Sequence, residues 1–108
     1  MMYLALLAAV TPAVEQAPLS YYITVADMAV VAKDGREGTV AVELSVDTKG
    51  RVDGCVIAKS SGHALLDSAT CLILSRRARF DSARDERGNP VADVVSGHVE
   101  WKAVRSSE

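Results

Sequence analysis

The chain is poor in several things at once. Of its 108 residues only five are aromatic: one Trp, one Phe and three Tyr. Any core must therefore be aliphatic, and hydrophobic residues at 49% supply the material for one. Proline is scarce, three in all, which excludes a proline-rich spacer within the chain. A dominant charge is missing as well. Lys and Arg number 12 against 14 Asp and Glu, so the net charge is −2, with both signs spread along the chain. That gives no electrostatic footing for nucleic acid. No apolar run approaches the roughly 20 residues of a membrane-spanning helix. Two cysteines without a C-x-x-C, and two isolated histidines, His63 and His98, do not make a metal site.

What remains is material for one small domain. The N-terminus, MMYLALLAAVTPAVEQAP, carries a short apolar run from Tyr3 to Val10, with small residues at Ala13 and Ala17. This fits a secretory signal over residues 1–17, leaving a domain over 18–104 and a frayed tail at 105–108. The rival reading is a buried N-terminal strand or helix of the domain itself. Export to an oxidising compartment would favour a disulfide between Cys55 and Cys71 over two separate buried thiols.

The stretch CVIAKSSGHALLDSATCLILSRRARF, Cys55 to Phe80, organises the rest. It opens as a strand, breaks at Ser60-Ser61-Gly62 and continues as a helix. Ser61 is the expected N-cap, because its hydroxyl can accept from an orphan backbone N–H. Leu66, Ala69, Thr70, Ile73 and Arg77 recur at helical spacing. Arg76, Arg77 and Arg79 suit the negative end of the helix dipole.

Before this unit, Thr24 to Lys33 reads as a short helix, with a strand as a serious rival because of its valines. Asp34-Gly35 and Gly38 mark a turn. Thr39 to Asp47 alternates cleanly: Val40, Val42, Leu44 and Val46 share one face, and polar residues share the other. Asp47-Thr48-Lys49-Gly50 is a tight turn into a second strand, Arg51 to Lys59. A bulge near Asp53-Gly54 would bring Cys55 and Ile57 inward. Asp81 to Pro90 reads as a charged surface loop. A third strand runs from Val91 to Trp101, with Val95, Gly97, Val99 and Trp101 on one face.

The first two strands form a hairpin, and the helix carries the chain back. The third strand then pairs with the first on its free side. The predicted fold is α+β: a three-stranded antiparallel sheet of order 2-1-3, with one or two helices on its apolar face. The third strand is left as an open edge. Val94, Val95, Ser96, Gly97, His98, Val99, Glu100 and Trp101 are therefore the candidate partner-binding residues, by addition of a strand. Which of their N–H groups face outward depends on a register that the sequence leaves open. The same edge could also join two copies into a homodimer.

Ser60, Ser61, His63 and Asp67 invite a catalytic-triad reading. Against it, Ser61 is needed as a cap, Asp67 suits the positive helix end, and no oxyanion-hole segment is evident. Glu43 and Glu100 could face each other on the polar side, but an open sheet offers no pocket to perturb them. Trp101 reads as a core plug at the sheet end. The expectation is a non-enzyme without catalytic residues, cofactor, metal or small-molecule substrate.

The ordered set GTVAVELSVDTKGRV, SSGHALLDSA, Arg79-Phe80 with Ala83 shortly after, GNPV and a closing valine-rich strand resembles the TonB C-terminal domain family, over about Gly38 to Trp101. The resemblance implies the same sheet and helices, a periplasmic location, and capture of an outer-membrane receptor segment along the last strand. Three features depart from the family. The usual membrane anchor and proline-rich spacer are not seen. The family's Tyr-Pro before the first helix is Tyr21-Tyr22. Its Phe-x-Pro-Ala reads Phe80-Asp81-Ser82-Ala83. The expected role is an accessory or subunit of a TonB-dependent transport system. The alternative is a free-standing periplasmic binding or structural module unconnected to energy transduction.

Overall fold

The computed structural model describes residues 10–103; the apolar run before Val10 and the tail at 105–108 lie outside the described residues. In chain order the elements are β1 (Val14–Glu15), a 3-10 turn (Leu19–Tyr22), α1 (Val25–Val31), β2 (Gly38–Val46), β3 (Val52–Lys59), α2 (Ala64–Arg77), β4 (Phe80–Asp81), β5 (Ala83–Arg84), β6 (Pro90–Val91) and β7 (Asp93–Trp101). The main sheet has the order β3-β2-β7, antiparallel throughout. This is the predicted 2-1-3 arrangement.

The period-2 pattern of β2 dictates its role. Val40, Val42, Leu44 and Val46 are buried, while Thr39, Glu43 and Ser45 are exposed. The Asp47 carboxylate accepts from the N–H groups of Lys49 (2.8 Å) and Arg51 (3.0 Å), which closes the hairpin turn. Gly50 takes φ +80° there, a conformation open to glycine. Its missing Cβ also lets the Phe80 carbonyl approach, and Phe80 N–H in turn donates to Gly50 O at 2.8 Å.

On β3 the register skips Asp53, between Gly54↔Ser45 and Val52↔Val46, and again skips Ala58. Each skipped residue is a bulge, and the first one changes the side-chain phase. Val52, Cys55 and Ile57 thereby all turn toward the core, and Val56 is left exposed. Cys55 then meets Cys71 on α2 in a disulfide, with Cα atoms 5.6 Å apart.

α2 lies over β3 and β2 and buries Leu66, Thr70, Ile73 and Leu74. Its N-cap is His63 rather than Ser61, with no side-chain bond to an orphan N–H of the first turn. Ser61 instead accepts from His63 N–H at 3.1 Å, inside the loop before the helix. α1 is a helix because Thr24 and Asp27 form a reciprocal capping box, a local signal that outweighs its valines. Arg77 ties the two helices together, donating to Asp27 Oδ2 at 2.8 Å and to Tyr22 O at 3.0 Å. Arg79 turns back onto the last helical carbonyls, those of Arg76 and Ala78.

Three expectations need correction. Gly38 belongs to β2 rather than to the preceding turn. The third strand begins at Asp93, with Pro90–Val91 a separate short strand. Residues 81–90 are more than a surface loop. β4 pairs with β1 through Val14↔Asp81 and Glu15↔Phe80, and β5 pairs with β6. Thr11 bridges Arg84. Residues 10–17, part of the stretch read as a signal, thus pack on the domain, with Ala13 buried. Two-residue ladders carry too few side chains for a periodicity to show in sequence.

Candidate partner-binding edge

The open edge is built from β7, and the hairpin sets its phase. Asp47 N–H donates to Arg51 O at 2.8 Å, so Asp47 faces β3. Both bulges lie on β3, so β2 alternates without interruption. Val46, Leu44, Val42, Val40 and Gly38 therefore direct their backbone groups toward β7. Their partners are Asp93, Val95, Gly97, Val99 and Trp101. The backbone groups of Val94, Ser96, His98 and Glu100 then point away from the sheet. One bond supports this phase independently: Val94 N–H donates to the side chain of Asp93, at 2.8 Å, and not to β2.

The eight sequence-selected residues thus fall into two sets. Val95, Gly97, Val99 and Trp101 hold β7 to β2 and turn their faces to the core. Ser96, His98 and Glu100 direct N–H and C=O groups outward, the Val94 N–H being held by Asp93, and all four residues lie exposed on the open face of the sheet. Proline at 95 or 99 would therefore break the sheet itself, because both positions face inward.

Two features of the edge escaped sequence reasoning. Asp93 is a junction. One carboxylate oxygen holds Val94 N–H, and the other accepts from Ala13 N–H at 3.0 Å. Nothing local marks it. The second feature is Leu19, which is buried on the 3-10 turn and sits over Gly97. A Cβ at position 97 would come within 2.5 Å of Leu19 Cδ1. A glycine inside a strand signals such a close approach, so this one was legible in kind though not in partner. Between the 3-10 turn and the edge lies a groove of about 480 Å³.

Trp101 closes the end of β7 as a core plug. It is fully buried, and its indole N–H donates to Thr70 Oγ1 at 2.7 Å. Glu43 and Glu100 do not face each other: Glu43 pairs with Ser96, and Glu100 with Thr39.

The Ser60–Asp67 constellation is a loop brace. Asp67 accepts from Ser61 N–H at 2.9 Å, from Ser61 Oγ at 2.7 Å and from the Ser60 hydroxyl. Burial pushes the Asp67 pKa up, but these hydrogen bonds and the nearby His63 outweigh it and hold the carboxyl below the ordinary range. A carboxylate so stabilised is a poor proton acceptor. The hydroxyls bond to Asp67 and to backbone groups of the same loop, and the His63 ring is not among their partners. Among the described residues, no group of three or more His, Cys, Asp or Glu could hold a metal ion.

The sheet thus has helices over one face and ends in a strand with no further neighbour among the described residues. The family described as the Gram-negative bacterial TonB protein C-terminal matches residues 29–103, and the chain belongs to that family. The match takes in both bulges, α2 and the whole of β7. No curated protein matches the chain.

Proposed function

We propose that this is a periplasmic protein-binding domain that takes up an extended segment of a partner protein along Val94–Trp101. It serves as an accessory or subunit of a TonB-dependent outer-membrane transport system. The observation that carries this reading is the sheet order β3-β2-β7, with the outer backbone groups of Ser96, His98 and Glu100 paired to no strand among the described residues. Unpaired edge groups are a template for β-augmentation. Membership of the family supports a receptor segment as the partner.

Proline scanning tests it. His98→Pro removes an outward N–H and should leave a folded domain, since edge positions tolerate proline. Its affinity for a peptide from the N-terminal segment of a TonB-dependent receptor should fall at least roughly tenfold, given the loss of a ladder bond and the local distortion. Val95→Pro removes an inward bond to β2 and should unfold the domain. Full binding by a well-folded His98→Pro would exclude the edge. A pull-down from periplasm that returns other partners and no outer-membrane receptor would favour the free-standing module.

A further inference from the structure

A strand added beside β7 sends its side chains alternately to the core side and to the open side of the sheet. On the core side it meets Pro18 and Leu19, the apolar wall of the groove. On the open side it meets Glu100; Glu43 lies one strand further in, on β2 opposite Ser96. Glu15 closes the rim of the groove. The ion pairs among the described residues are Arg36–Asp34 and Arg77–Asp27, so none of these three carboxylates has a cation within salt-bridge distance there. Among the described residues no Lys or Arg lines the groove. Lys102 lies past the end of β7, and Lys59 lies across the sheet on β3.

We propose, building on the edge reading above, that the segment β7 takes up alternates apolar and basic side chains, the apolar ones toward Leu19 and the basic ones beside Glu100, with Glu43 a more distant negative charge on the same face. The free edge is the site, and its charge selects the occupant. Val94 N–H is already held by Asp93, so the available outward groups are those of Ser96, His98 and Glu100. They match a segment of about five residues, because outward groups recur at every second position. Opposite charges across a strand pair attract and like charges repel, so an acidic segment is rejected at the same positions. A second copy of this chain is a poorer occupant, because it would bring Glu15 and Glu100 to the seam twice.

The test uses the full chain and three seven-residue peptides, blocked at both ends, that alternate valine with lysine, glutamine or glutamate. One cross-strand charge pair, with Glu100, predicts that the lysine peptide binds roughly twofold to fivefold tighter than the glutamine peptide, and the glutamate peptide weaker still. The spread should shrink in 0.5 M salt, about where screening reaches a few ångströms. A Glu43→Lys/Glu100→Lys variant, checked for folding by circular dichroism, should reverse the order. Equal binding of all three peptides, or an unreversed order in the folded variant, overturns the charge preference and leaves the edge reading standing. No binding by any peptide overturns the edge reading itself. Self-association in sedimentation that His98→Pro abolishes and that the lysine peptide cannot displace would assign the edge to a second copy and overturn the proposal.

Discussion

Trp101 Nε1 and Thr70 Oγ1 lie 2.7 Å apart in the fully buried core, and the Thr70 hydroxyl in turn donates to Leu66 O, also at 2.7 Å. The end of the edge strand is thereby bonded to the middle of α2. A threonine inside a helix often bonds back to the carbonyl four residues before it. Here that bond orients the oxygen so that its lone pair is free for the indole. An indole N–H buried without a partner would carry a desolvation penalty, and Thr70 removes it.

Thr70→Val keeps the shape and deletes the acceptor. It should cost about 1–3 kcal/mol, the penalty of an unsatisfied buried donor. Urea unfolding followed by the emission of the single tryptophan measures it directly. Adding Trp101→Phe should add less than its effect in the wild-type background, because the orphaned N–H is then gone. Strict additivity of the two changes would mean that the bond contributes nothing.

The disulfide gives a second prediction. Cys55 and Cys71 are 16 positions apart, and a loop of that size is stabilised by about 3 kcal/mol in the chain-entropy account. The Cys55→Ser/Cys71→Ser variant should show a lower urea midpoint by a corresponding amount. Intact mass after alkylation without reductant should show no labelled thiol on protein taken from an oxidising compartment. An unchanged midpoint would show that the strand and helix are held as firmly by packing alone.

The N-terminal segment is part of the packed domain. Thr11 and Arg84 exchange backbone bonds of 3.1 and 2.9 Å, Gln16 N–H donates to Arg79 O at 2.9 Å, and Ala13 N–H reaches Asp93. A chain starting at Pro18 should be less stable than one starting at Val10 by about 2 kcal/mol. Each bond contributes roughly 1 kcal/mol net, and the entropy of ordering the segment opposes them. N-terminal sequencing of the protein from its native host would show whether residues 10–17 remain on the chain. Equal thermal midpoints for the two would mean that the segment only rests on the surface.

Acid should destabilise the fold. The Asp67 carboxyl lies below its ordinary value of 3.8, and Asp27 does so through Thr24 and Arg77 against the upward push of burial. The backbone N–H groups of Arg51 and Lys49 hold Asp47 down, and that of Asn89, followed by Arg87, holds Asp85 down. Groups depressed in the folded state stabilise it above the unfolded pKa. That contribution is lost as pH falls through the folded values, because the unfolded chain binds protons first. Urea midpoints should be nearly flat from about pH 7 to 5 and fall below about pH 4, since only then do unfolded carboxyls protonate. Asp67→Asn should lower the midpoint at pH 7 and flatten the acid limb. A midpoint that holds steady to pH 3 would contradict this.

The sequence by itself determined the parts that repeat at a local period. The alternation of Val40 to Val46 chose the buried face of β2, and Asp47 to Gly50 chose the turn. The spacing of Leu66, Thr70 and Ile73 chose the face of α2. Parity alone called for a bulge near Asp53, because Val52 and Cys55 must both turn inward. The family was legible for the same reason, since its marks are ordered local signals.

The tertiary structure decided the rest. It placed the cap of α2 at His63, because Asp67 holds both serines in the loop before it. It made strands of residues 14–15 and 80–81, which have no period to read. It gave Trp101 its partner 31 residues away and Leu19 its seat over Gly97. Above all it set which residues of β7 face outward. That phase is transmitted from the Asp47–Arg51 bond through β2, strand by strand. A hydrogen bond on one edge of a sheet thus decides which backbone groups are free on the other, and no side-chain pattern within β7 encodes it.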